Sequence, residues 1–466
     1  MAFWNRRRSI DAMLAPHSGP GLKKTLGWPH LMALGVGAIV GTGILTLIGV
    51  GAGLAGPAVL ISFALAGLVC ACAALAYAEL STIMPASGSA YTYSYAALGE
   101  IFAWVVGWSL ILEYSLVVST VAVGWSGYAV PFLAGLGIDL PFALTVGPHV
   151  EGGLINLPAI FIIAIVTGLL LLGTKESATL NAVLVFVKIA ALVVFVAIAM
   201  PHFDTANFTP FMPHGFGAPF VQTGVMAAAA IIFFAFYGFD AVATAAEETR
   251  NPARDLTIGI IGSMVACVVI YMAVAIAALG AMPFTDFMKS PEPLSHIIRT
   301  VGSDLWATLI AGAAVVALPT VILAFMFGQS RIFFVMARDG LLPRSLAHVS
   351  ERSGGPVRVT AGTAVLMAII AGFIPLGDLA ALANAGTLVA FASVGLCLIV
   401  LRRREPGRPR VFRAPVWWLV GPVAIAGCVY LFFSLPASTQ INFVIWNVIG
   451  VAVYLLYSRR NSLLNG

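Results

Sequence analysis

Charge is what this sequence has least of. Only 9% of its 466 residues are Asp, Glu, Lys or Arg, against about 25% in soluble domains. With 60% of residues hydrophobic, that excludes a water-soluble globular chain and leaves a polytopic helical membrane protein. Cysteine is scarce as well. Cys70, Cys72, Cys267, Cys397 and Cys428 all fall in apolar stretches, where they read as small buried hydrophobes and not as disulfides or zinc ligands. The seven histidines are scattered, mostly near segment ends, so no metal site is expected. There is no HExxH and no GxSxG, which leaves an intramembrane enzyme without a catalytic set. No polar stretch is long enough to be a soluble domain. The opening MAFWNRRRSIDAML is too polar for a secretory signal peptide and is expected to be retained.

What is present is a series of apolar runs. At about 20 residues per span, twelve are expected: 30–54, 57–82, 98–131, 157–173, 179–200, 221–246, 256–281, 304–336, 357–374, 378–401, 415–434 and 440–458. They form one membrane domain over 30–460, after a cytoplasmic segment 1–29. Orientation follows from Lys and Arg, which concentrate on the cytoplasmic side. With the N-terminus inside, every one of the 24 basic residues lies in a cytoplasmic segment except Lys289 and Arg299 outside and Lys188 within a span. Both termini are then cytoplasmic. The same bias explains the net charge of +5 and removes the reason to suspect a nucleic-acid partner.

The chain is organised around residues 34–53, LGVGAIVGTGILTLIGVGAG. A helix interior loses roughly 0.8–1 kcal/mol for each glycine relative to alanine, and Gly37, Gly41 and Gly43 leave little bulk around Thr42. Such a span can open into two halves. The N–H and C=O groups freed by the break must then face protein or a water-filled cavity. N–H groups at Gly41 and Gly43 would hold a carboxylate and freed carbonyls a cation, the two needs of an amino acid. The other reading is close helix packing, since Gly37 and Gly41 fit GxxxG. The pattern is not a dinucleotide fingerprint, because no strand precedes it. A second break is expected near Gly238, after Phe233-Phe234-Ala235-Phe236-Tyr237 and before Asp240, with Asp240 as N-cap of a helix over 241–248. The first and sixth spans are equivalent if spans 1–5 (30–200) and 6–10 (221–401) are two halves. Five spans is an odd number, so the halves are inverted, and paired interrupted spans point to a midplane site.

Ionisable groups within spans require explanation, since a charge at the bilayer centre costs about 2.5–3.5 kcal/mol on insertion scales. Glu79 stands near a span end and reads as interfacial and structural. Glu113 is well inside the third span and suits either a helix-packing bond or a substrate or proton role. Lys188 is isolated among apolar neighbours of the fifth span. It reads either as a snorkelling or ion-paired lysine or as a group that binds and releases a proton.

Four stretches resemble the amino acid–polyamine–organocation superfamily, and its cationic amino acid transporter branch in particular. They are KKTLGWPHLMALGVGAIVGTGI, AYAELSTIMPASGSAYTYSYAALGEIFAWVVGWSLILEY, FFAFYGFDAVATAAEETRNPARDLTIGI and GQSRIFFVMARDGLLP. The resemblance implies the leucine-transporter fold, an inverted 5+5 repeat plus two C-terminal helices. By motif position, Ile39, Thr42 and Gly43 are similar to first-span residues that meet the substrate's amine and carboxylate. Phe234, Ala235 and Tyr237 resemble the sixth-span counterparts, with Phe236 and Gly238 completing the break. Lys188 resembles the fifth-span lysine that proton-coupled relatives carry near the sodium position of sodium-coupled ones. Glu113 and Asp240 occupy acidic positions that the resemblance would allow to face the substrate side chain. Tyr237 departs from the aliphatic residue many relatives have there.

The expected function is secondary active amino acid transport in the inner cell membrane, coupled to H+ and needing no cofactor, by alternating access. If the two acids flanking the pocket are both anions, cationic amino acids fit; if they are protonated or bonded to hydroxyls, small neutral ones do. The resemblance to the cationic branch sets cationic amino acids slightly ahead, against the crowding of the aromatic break. A sodium-coupled symporter or an exchanger shares the fold. A channel lacks a filter motif here, and a nutrient sensor lacks a signalling tail. The expected partners are the amino acid and the lipid bilayer.

Overall fold

The computed structural model describes residues 6–11, 24–172, 174–217, 221–302, 304–350 and 355–465, without the side chains of 174–179 and 465. Lys23 and Arg352, counted above among the basic segments, lie outside the described residues, as does the side chain of Lys175. Among the described residues the chain is helical, apart from one isolated β-bridge between Leu26 and Thr249. Nine helical stretches of 18 residues or more among the described residues are long and apolar enough to cross a membrane. Three shorter apolar helices, Leu157–Leu172, Val357–Phe373 and Trp417–Phe433, fall where the fourth, ninth and eleventh spans are expected. This is the architecture of a multi-pass membrane protein: in lipid, a segment must satisfy its backbone internally, and a helix does so. The lipid side is legible from large apolar side chains left uncovered, among them Phe186, Leu366, Val448 and Leu456.

The first span is interrupted, and more finely than the sequence suggests. It runs Trp28–Ile39, Thr42–Leu45 and Leu47–Ala55, with a second kink at Thr46. The sixth span runs Val225–Ile232, a short tighter turn Phe233–Ala235, and a restart at Phe239–Thr244. The eighth is also divided, into Asp304–Ala317 and Pro319–Arg338. Pro319 lacks the N–H that would continue the helical ladder.

The two interrupted spans cross at their breaks, and glycine is what permits it. Gly238 has φ +127°, a region that side chains disfavour. A Cβ there would stand 2.8 Å from the Ala38 carbonyl carbon and 2.9 Å from the Ile39 nitrogen. In return, a Cβ at Gly43 would collide with the Ala235 backbone. Each break rests on the other's main chain. The packing role expected of the GxxxG pair is present too: Gly37 abuts Asn181 and Val185 of the fifth span, and Gly41 abuts Val321 of the eighth.

Candidate substrate site

A break in a buried helix frees carbonyls, and the first span's are taken by side chains from elsewhere in the bundle. Lys188 Nζ donates to Gly37 O at 2.9 Å and to Val40 O at 2.5 Å. Thr320 Oγ1 donates to Gly37 O at 3.3 Å. Tyr271 Oη donates to Ile39 O at 2.6 Å, and Tyr128 Oη to Leu45 O at 2.6 Å. Lys188 is 3% exposed and bonds inward, so it does not snorkel. No carboxylate pairs with it among the described ion pairs. Thr320, Tyr271 and Tyr128 were not singled out from sequence. Their signal is weak, because each is one of several hydroxyls in its span.

Asp240 requires a correction. The restart is capped by Gly238, and the helix is Phe239–Thr244, so Asp240 sits in the first turn and is not the N-cap of 241–248. The chain turns at Gly238 because only glycine tolerates that φ, which moves the helix start upstream of Asp240. From there the carboxylate reaches back: Oδ1 accepts from the Gly238 N–H at 3.0 Å, and Oδ2 accepts from the Tyr114 hydroxyl. Glu113 is its fully buried neighbour on the third span. Both Glu113 oxygens lack a hydrogen-bond partner among the described residues, as do Thr42 Oγ1 and Tyr237 Oη. Each such buried polar atom costs about 1–3 kcal/mol if nothing pairs with it, and four of them stand around the crossing. Ile39, Gly41, Thr42, Gly43, Phe234, Ala235, Phe236 and Tyr237 are all buried there. The aromatic break is packed by ring contacts of Tyr237 with Phe234 (5.2 Å between centroids) and Phe325 (6.1 Å).

The two ends of the bundle differ. At one, a cavity of about 440 Å³ is lined by Thr46, Val50, Gly124, Ser126, Pro131 and Ser290, among others. Gly124 abuts Thr42, so the cavity reaches the restarting first span. At the other end, where the described parts of both chain termini lie, polar contacts tie the spans together, beside a second cavity of about 330 Å³ lined by Gly340, Leu342, Arg344 and Tyr457, among others. Arg331 Nε and Nη2 donate to Glu248 Oε1 at 2.9 and 2.8 Å, and Arg338 Nη2 donates to Glu247 Oε1 at 3.0 Å. The N–H groups of Thr25 and Leu26 each donate to Glu248 O at 3.0 Å. Burial raises the Glu248 carboxyl above its ordinary range, with Arg331 pulling against it. Asp339, joined to Arg8 and Tyr91, is raised by burial in the same way. Glu79 is structural, as expected of an acid at a span end. It accepts from Arg402 at 2.7 Å, from Arg410 at 2.9 Å and from the Ala414 N–H at 2.8 Å.

The arrangement offers hydrogen-bonding groups to a small polar molecule at the centre of the bundle. Comparison with known proteins agrees. The family model described as "Amino acid permease" matches residues 26–457. The chain is 45% identical over 464 residues to the branched-chain amino acid permease BcaP of Bacillus subtilis, covering 99% of this chain and 98% of that one. It is 42% identical over 462 residues to the methylthioribose transporter of the same organism, covering 99% of each. It is 36% identical over 406 residues to the vacuolar cationic amino acid transporter 4 of Arabidopsis thaliana, covering 86% and 67%. The chain therefore belongs to the amino acid permeases of the amino acid–polyamine–organocation superfamily, and is a multi-pass membrane transporter, not an enzyme.

Proposed function

We propose that this permease is a proton-coupled amino acid symporter of the cell membrane, working by alternating access with both termini cytoplasmic. Residues 30–460 make one transporter domain, two inverted five-span halves followed by two helices. The substrate's carboxylate and amine meet the crossing formed by Ile39, Gly41, Thr42 and Gly43 with Phe234, Ala235, Phe236, Tyr237 and Gly238. The observation that carries the coupling is Lys188. It faces two carbonyl acceptors and no anion, whereas an ammonium has three N–H donors. The third proton has no acceptor among the described residues, and a neutral amine keeps both bonds. An amino group on the break's carbonyls also occupies oxygens that would otherwise hold a metal cation, which favours H+ over Na+.

For the side chain, a neutral apolar substrate fits better than the cationic one expected from sequence. Asp240 is occupied by Tyr114 and Gly238, and two relatives are named for branched-chain amino acids and methylthioribose. One observation favours the cationic reading: both Glu113 oxygens lack a partner among the described residues. Uptake into proteoliposomes under an imposed pH or sodium gradient tests the coupling. Competition by isoleucine, alanine, arginine and lysine tests the substrate. Accumulation driven by sodium alone would refute the proton reading, and competition by arginine and lysine only would refute the neutral one.

A further inference from the structure

We infer that Asn384, on the tenth span, is the positioning residue of the sixth-span break, doing without a charge what Lys188 does for the first. Asn384 lies in the helix Leu376–Arg404 and is fully buried. Its side-chain nitrogen donates to Ala230 O at 2.8 Å and to Ile231 O at 3.3 Å. Both acceptors are carbonyls, so the orientation of the amide is dictated: only its NH2 end can donate. Ala230 and Ile231 belong to the last turn of Val225–Ile232. The final carbonyls of a helix lack partners within the helix; here the Phe233 N–H covers Ala229 O and Ile231 O, so it is Ala230 O, at 2.8 Å from the amide, that takes its donor from Asn384.

The neighbours of Asn384 on its own helix bear on the same break. Asn384, Thr387 and Phe391 recur at the spacing of one helical face. Thr387 stands beside Tyr237. Phe391 packs on Phe233 at 5.8 Å and on Phe239 at 5.0 Å between centroids. One stripe of the tenth span thus grips the sixth before, within and after its interruption. Of the three, only the amide bonds the freed main chain.

The chemistry of the two clamps differs. Lys188 can gain and lose a proton, whereas an amide does not titrate. The first break is held by a proton-sensitive group and the sixth by an insensitive one, so one side of the crossing keeps its shape while the other responds. The inference rests on the reading of the crossing as the substrate site, and its test separates the two.

The full-length protein and its Asn384→Leu and Asn384→Asp variants are compared by hydrogen–deuterium exchange and by uptake of labelled isoleucine, alanine and lysine. Asn384→Leu is expected to speed exchange at residues 230–238, and not at 36–43, and to raise KM about tenfold, the equivalent of roughly 1.4 kcal/mol. A carboxylate has no donor and repels the carbonyls, while a carboxylic acid has one. Asn384→Asp is therefore expected to match wild type at acid pH and to lose uptake, with faster exchange at 230–238 than wild type, as pH rises. If Asn384→Leu does not fold, Asn384→Asp carries the test alone, its acid form being the folded control. Wild-type exchange at 230–238 in the variants, or a wild-type pH profile for Asn384→Asp, overturns the inference. A wild type that takes up none of the three amino acids overturns the substrate-site reading instead, while the exchange data still decide the role of Asn384.

Discussion

Replacing Lys188 by Met keeps the apolar stem and removes the two donors. Gly37 O keeps only a 3.3 Å contact with the Thr320 hydroxyl, whose single proton also goes to Ala317 O at 2.7 Å. Val40 O has no other donor among the described contacts. One buried carbonyl left unpaired costs about 1–3 kcal/mol, and a coupling of that size corresponds to a factor of roughly 5–150 in an equilibrium constant. The open first-span break should lose population by that factor, and substrate affinity should fall with it. Coupling should change in kind, since no proton-binding group remains on the break. The assay is uptake into proteoliposomes run in two modes. Under an imposed inward-directed proton gradient, Lys188→Met is expected not to concentrate substrate. In counterflow, where preloaded substrate exchanges without a gradient, it is expected to remain active with weakened affinity. A Lys188→Met protein that accumulates substrate as wild type does in response to the pH gradient would refute the assignment. Loss of both modes in a folded protein would reduce Lys188 to a structural tie.

Three further outcomes are expected. Gly43→Val places bulk against the Ala235 backbone and should abolish substrate-induced thermal stabilisation in a protein that still purifies as a folded species; unaltered stabilisation would count against the crossing as the site. Asp240→Asn exchanges an anion for an amide opposite Tyr114 and Gly238; apolar substrates should compete as in wild type, and a selective loss of arginine and lysine competition would restore the cationic reading. Burial holds the Glu248 carboxyl above its ordinary value of 4.5, so its contribution to stability is full below that value and is lost as pH rises through the raised one; Glu248→Gln should flatten that decline in Tm, and an unchanged slope would show that Glu248 is not responsible.

Much of this was legible because lipid makes rules strict. A span without water has to be a helix, so apolar length alone pointed to the nine long helices and the three shorter apolar ones among the described residues. Glycine in such a helix is conspicuous, and both breaks followed from Gly37, Gly41, Gly43 and Gly238. Lys188 was visible because a charge has no bland place among apolar neighbours. What was not legible depends on which spans meet. Tyr271, Thr320 and Asn384 are ordinary polar residues until the fold carries them to Ile39, Gly37 and Ala230. Asp240 was misplaced as a cap because the sequence shows that the chain breaks at Gly238 but not that it turns there with a positive φ. The side-chain preference turned on whether two acids stand as free anions or bond to neighbouring hydroxyls, which sequence leaves open; Tyr114 donates to one of them, Asp240.

The bond from Tyr271 to Ile39 spans 232 residues of sequence, and Val321 against Gly41 spans still more. During synthesis the first span enters the membrane long before either partner exists. Until the seventh span arrives, the carbonyl of Ile39 has no hydroxyl to meet it, and lipid offers none. The nascent first span is thus better served by an unbroken helix, whose own N–H groups cover those carbonyls. Lys188 and Tyr128 of the first half can meet some of the opened carbonyls, but the opening is completed only when the second half brings Tyr271 to Ile39.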